Sequence, residues 1–118
     1  MRRWLLIGCL LMVAGLSLPA LAQPIGDIEA GREKSQSCVA CHGAKGAADN
    51  PAFPMLAGQH ADYLLHALKA YRSGDRNNAI MNGQAAALSD EDMRDLAAYY
   101  SAQDSAVYGL RRGTANND

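Results

Sequence analysis

The stretch Cys38-Val39-Ala40-Cys41-His42 constrains this chain more tightly than any other. Two thiols three residues apart, followed at once by an imidazole, form the C-x-x-C-H pattern of covalent haem attachment. The spacing has a physical basis. The two sulfurs reach the two vinyl groups on one edge of a haem and form thioethers, and the next side chain is then placed under the iron. Imidazole nitrogen is a good iron ligand. Other uses of the cysteine pair fit less well. A thioredoxin-like redox pair needs a strand-to-helix setting that is absent. A closed zinc site takes four ligands, and the only other cysteine is Cys9, near the N-terminus. A structural disulfide would close a tiny loop and give His42 no reason to adjoin it.

The 118 residues suffice for one domain. With 11 basic and 12 acidic side chains the formal net charge is −1, which argues against nucleic-acid binding. The charge is unevenly placed, and residues 4–22 carry none. Met1-Arg2-Arg3, an apolar run from Trp4 to Leu18, and Pro19-Ala20-Leu21-Ala22 have the order of a secretory signal peptide. An uncleaved anchor is the alternative, since nineteen uncharged residues nearly span a bilayer. Pro19 and the small residues at 20 and 22 favour cleavage. Leu6-Ile7-Gly8-Cys9 looks like a lipoprotein processing site but comes too early, with only five residues between Arg3 and Cys9. Cleavage after Ala22 leaves residues 23–118, with nine basic side chains against twelve acidic ones, and no stable membrane insertion is then expected. A domain of that size buries a modest core. Phe53 is its only phenylalanine, so a large apolar cofactor would fill the core well.

Periodicity predicts helices and loops, with no alternation of period two. Asp27 is a plausible N-cap for a helix from Ile28 to about Gln36. Residues 43–58 read as loop, with glycines and alanines followed by Pro51 and Pro54. A second helix fits Gln59 to Ser73, with Leu64, Leu68 and Tyr71 on one face, and Gly74 ends it. Residues 75–88 read as another loop, with room for one helical turn. Ser89 caps a last helix whose first turn carries Asp90, Glu91 and Asp92, where the dipole favours them. Met93, Leu96, Ala97 and Tyr100 form its apolar face. The ordered core is expected over about 26–103, with 104–118 a flexible tail.

The helix before C-x-x-C-H is followed in order by a set of further residues. They are Pro54-Met55-Leu56-Ala57-Gly58-Gln59, Tyr63, Tyr71, Gly74-Asp75-Arg76, Met81, Leu88-Ser89-Asp90 and Ala98-Tyr99-Tyr100. That ordered set resembles the class I c-type cytochromes of the small, soluble, single-haem bacterial kind. It is similar to one half of the two-haem bacterial carriers. The resemblance implies an all-α cytochrome c fold, three to five helices around one covalent haem c and its iron. The first and last helices would pack together, with Gly31 and Tyr99 at their crossing. Cys38 and Cys41 would carry the thioethers, and His42 and a methionine would be the axial ligands. Pro54, twelve residues after His42, matches the proline whose carbonyl accepts a hydrogen bond from the haem histidine. Such a bond orients the imidazole and strengthens it as a donor. Met55 would then lie on the histidine side, and Met93 reads as core. Met81 stands where the resemblance expects the ligand, and a thioether raises the haem potential. His60 and His66 read as surface residues, and Arg76 as either a partner of a haem propionate or a solvated loop residue.

The resemblance implies a periplasmic carrier that passes one electron at a time between redox protein partners and is not an enzyme. Two other readings stay open. One is an electron-transfer subunit of a larger dehydrogenase or oxidase complex. The other, which Met81 argues against, is a haem sensor or peroxidase-like enzyme with an open iron position.

Overall fold

The carboxylate of Asp27 accepts from the Ala30 amide at 2.8 Å and so caps the first helix, α1 (Ile28–Lys34). The computed structural model describes residues 24–104. The leader reading at 1–22 and the tail reading at 105–118 lie outside the described residues. After α1 come α2 (Gln36–His42), a 3-10 turn at Ala44–Gly46, α3 (Ala61–Ser73), α4 (Ala79–Ala86) and α5 (Asp90–Ser101). The described residues are all-helical, and the first and last helices pack together.

Three boundaries differ from the sequence expectation, each for a local reason. The first helix breaks at Ser35, whose hydroxyl bonds the Arg32 carbonyl at 2.7 Å. It then resumes as α2 and carries the whole cysteine motif to His42, where Gly43 at φ 76° ends it. The second long helix starts at Ala61, two residues late, because Gly58 at φ 71° turns the chain just ahead of it. The expected loop at 75–88 contains a helix of two turns, α4. Asn78 caps it by accepting from the Ile80 and Met81 amides at 3.1 and 3.0 Å. The last helix opens with a full capping box between Ser89 and Asp92.

Helices α1 and α5 cross where Gly31 lies on the backbone of Asp95. A Cβ at Gly31 would fall on the Asp95 carbonyl and within 2.7 Å of the Tyr99 Cβ. Asp95 secures the same crossing. It is 4% exposed and accepts from the Asp27 amide at 2.8 Å and from Lys34 Nζ at 2.6 Å. Lys34 also meets Asp92 at 2.9 Å. The Lys34 ammonium, and after it the Asp27 amide, hold the Asp95 carboxyl below the usual carboxylate range. Lys34 with Ser89 brings Asp92 down to about 2. Helix α5 also packs on α3, and α3 on α4. The buried cluster of Leu64, Leu96, Ala97, Tyr99 and Tyr100 is small, and Cys38, Leu56 and Leu68 pack against it. Motif and core are therefore contiguous.

Asp95→Asn should lower stability at neutral pH by about 2 kcal/mol. That is less than the roughly 3–5 kcal/mol for breaking a fully enclosed ion pair. The reason is that the Lys34 side chain is 30% exposed and keeps Asp92. Both carboxylates have depressed folded pKa values, so their contribution is complete above the unfolded value near about 4. It fades as pH falls through the folded values, about 2 for Asp92. Urea titrations should therefore find the gap between wild type and Asp95→Asn widest at neutral pH and closing as pH falls through the depressed folded pKa of Asp95.

Candidate haem site

Helical geometry brings the motif together. Cys38, Cys41 and His42 stand at i, i+3 and i+4 on α2, so the three side chains share one face. His42 is 6% exposed, and its Nδ1 lies 2.9 Å from the Pro54 carbonyl oxygen. A carbonyl can only accept, so Nδ1 carries the proton and Nε2 keeps a lone pair for a metal. The Phe53 ring meets the imidazole edge-on, 6.3 Å between centroids.

The segment that presents Pro54 is held by ties just after the proline. The Gly46 carbonyl accepts from the Leu56 and Ala57 amides at 2.8 and 3.2 Å. Gly46 stands at φ 81°, and a side chain there would strike Leu56 and Tyr100. Gly58 donates to the Tyr100 carbonyl at 2.9 Å, which ties the segment to α5. The Pro54 oxygen is thus fixed relative to α2 through the 3-10 turn and relative to the core through α5.

Between α2, the 50–58 segment, α3 and α4 lie two adjoining cavities of about 180 and 400 Å³. Cys38, His42, Pro54, Tyr71 and Met81 line both, so the two are parts of one cleft. Leu64, Leu68, Leu96 and Ala97 wall its inner part, and Cys41, Phe53 and Ile80 its outer part. Met81 stands in the first turn of α4, half-buried. Met93 is fully buried in α5 and does not line the cleft. Met55 is 43% exposed, lines only the inner part, and adjoins the proline that meets His42. Of the three methionines, Met81 alone shares both parts of the cleft with His42. His60 and His66 are exposed and line neither part.

Two features had no signature in the sequence. Tyr100 lines the inner cleft with Cys38, and its hydroxyl is buried with no hydrogen-bond partner among the described residues. Burial pushes its pKa up, and the neighbouring Cys38 adds to this. A buried hydroxyl left unpaired is costly. Arg76 lies over the Tyr71 ring, 5.0 Å from its centroid, and its Nη1 is 3.4 Å from the Tyr63 hydroxyl. All three residues line the inner cleft. The apolar walls, the paired thiols and the oriented imidazole fit a haem.

The family model described as Cytochrome c matches residues 28–102. Cytochrome c-554(548) of Halomonas halodenitrificans is 51% identical over 82 residues, which are 67% of this chain and 99% of that protein. Cytochrome c4 of Pseudomonas aeruginosa is 44% identical over 92 residues, 78% of this chain and 46% of that protein. Among solved structures, reduced recombinant cytochrome c4 from Pseudomonas stutzeri superposes with a TM-score of 0.64 at 42% identity. That match covers 67% of this chain and 46% of the other. The chain thus spans nearly the whole of cytochrome c-554(548) and about half the length of the cytochromes c4.

Tyr100→Phe removes one oxygen and keeps the ring. If the hydroxyl is satisfied by the cofactor, the haem-loaded variant should be about 1 kcal/mol less stable than wild type. Thermal unfolding followed at the haem absorption checks this. A variant more stable than wild type would show that the hydroxyl stays unpaired.

Proposed function

Since the chain belongs to the cytochrome c family, we propose that it is a periplasmic carrier passing single electrons between redox protein partners. The family's cofactor is covalent haem c, which supplies a one-electron iron couple when bound. Residues 1–22 are assigned to a cleavable leader and 23–118 to the carrier domain. Secretion before haem attachment suits a chain whose motif needs two reduced thiols outside the cytoplasm.

The roles of the side chains follow from the cleft. Cys38 and Cys41 would hold the cofactor by thioethers. His42 would offer its Nε2 to the iron, since the Pro54 carbonyl keeps the proton on Nδ1 and raises the basicity of the ring. Met81 would offer its sulfur from the α4 wall. Were both side chains to hold the iron, no position would be left for a substrate, which is why the protein is read as a carrier and not an enzyme. The observation that supports this most is that His42 and Met81 line one apolar cleft.

The rim of that cleft indicates how partners meet it. The segments 35–44, 50–61 and 77–89 contain no Asp, Glu, Lys or Arg. Val39, Met55 and Ile80 project from them, and Ile80 is 61% exposed. Contact across such a rim rests on apolar burial and on little electrostatic steering.

Two measurements test the proposal. Electron exchange between oxidised and reduced copies should change by less than about twofold between low and high salt, since no charged ring stands to be screened. The reduced wild type should resist carbon monoxide, and Met81→Ala should bind it readily. A wild type that takes up carbon monoxide at once, with Met81→Ala no different, would give the iron an open position and replace the carrier with a sensor or enzyme.

A further inference from the structure

Residues 74–78, which join α3 to α4, are all exposed. Apolar packing therefore does not fix the segment that leads into Met81. Hydrogen bonds do, among them Arg76 N–H to the Ala70 carbonyl at 3.0 Å, and several converge on one side chain. The amide nitrogen of Asn82 donates to the Tyr71 carbonyl at 2.6 Å and to the Arg76 carbonyl at 2.8 Å. Its oxygen accepts from the Asn78 amide at 2.8 Å. The backbone adds Asn82 N–H to the Asn78 carbonyl at 2.8 Å. Asn78 in turn accepts from the Met81 amide at 3.0 Å. Met81 is thus gripped from both sides along the chain. Its own N–H is capped by Asn78, and its neighbour Asn82 is stitched to the last turn of α3.

The chemistry admits few substitutes. The site asks for two donors toward carbonyls and one acceptor toward an N–H, and a primary amide has both. Aspartate would turn lone pairs toward the Tyr71 and Arg76 carbonyls, and leucine would satisfy none of the three groups. Further along α4, fully buried Ala85 supports the helix. At its N-terminal end Asn82 is the anchor.

We propose that Asn82, working with Asn78, is a positioning residue that keeps Met81 on the iron and resists its displacement by external ligands. The inference rests on the assignment of Met81 as axial ligand, and the cap and the amide stitch are what make that ligand hard to swing away. Loss of either should raise the population of a state in which α4 has moved and the sulfur has left the iron.

The test uses oxidised, haem-loaded protein and imidazole as the entering ligand. Asn82→Asp and Asn82→Leu should bind imidazole about tenfold more tightly than wild type, the change expected from losing a hydrogen bond of ordinary net strength. In the absence of imidazole both should keep the weak far-red band of iron–thioether bonding. Asn78→Ala should behave alike, and Asn78→Asp, which retains an acceptor for the cap, should stay near wild type. If Asn82→Leu fails to fold, Asn82→Asp and Asn78→Ala carry the comparison. Lys34→Met, which weakens the fold at the distant α1–α5 crossing, separates positioning from general destabilisation. Asn82 variants that bind imidazole no more tightly than Lys34→Met would overturn the inference while leaving the Met81 assignment intact. A wild type without the far-red band, and a Met81→Ala variant that binds imidazole no better, would overturn both.

Discussion

The crossing of α1 and α5 is the contact on which the rest of the structure depends. Among the described residues no helix is long enough to persist alone: α1 and α2 have 7 residues each, α4 has 8, α5 has 12 and α3 has 13. Isolated helices shorter than about 12–15 residues are marginal in water. Their order comes from packing, and the closest packing is where Gly31 meets the Asp95 backbone. A larger residue at 31 would gain about 1 kcal/mol of helix propensity. It would lose more by driving a methyl group into a carbonyl. The Asp95 carboxylate then gathers the Asp27 amide and Lys34 at the same place. Because α2 continues directly from α1, fixing this crossing also sets where Cys38, Cys41 and His42 face the core.

The rest of the molecule is built against that fixed edge as two walls. One is the 50–58 segment, tied to Gly46 and to the end of α5, which delivers the Pro54 carbonyl to His42. The other is α4, tied to α3 through Asn82, which delivers Met81. Both walls are positioned by polar contacts at their ends and lined with apolar side chains between. The buried aliphatic core is small, and the cleft continues it. A protein arranged this way places much of its apolar interior around its cofactor, so cofactor attachment and folding are expected to be coupled.

The sequence was legible wherever the signal was local. The C-x-x-C-H motif, the Asp27 and Ser89 caps, the αL glycine at Gly74 and the apolar face of α5 all act within a turn or two, and each is present in the fold. Gly31 and Tyr99 were legible through the family resemblance. Helix α4 was missed because Asn77-Asn78 and Gly83 read as loop, and a strong N-cap with tertiary support from α3 outweighed them. The ion pair of Asp95 and Lys34 joins residues 61 apart. The amide of Asn82 reaches back 11 residues. Such contacts leave no periodicity to read. The Tyr100 hydroxyl was hidden for another reason. Spacing assigns the ring to the apolar face, and only the packed structure shows that its oxygen is buried without a partner among the described residues.

The proposed pairing of His42 with Met81 across the cleft is the point at which fold, cofactor and electron transfer meet. It can be observed directly by nuclear magnetic resonance of the reduced, haem-loaded protein carrying carbon-13 in its methionine methyl groups. A methyl on a sulfur bound to haem iron lies over the macrocycle and is shifted far upfield by the ring current. One such methyl resonance is expected. It should vanish in Met81→Leu and remain in Met55→Leu and Met93→Leu. A shifted methyl that survives Met81→Leu, or a spectrum without one, would contradict the assignment and with it the reading of the cleft as a closed electron-transfer site.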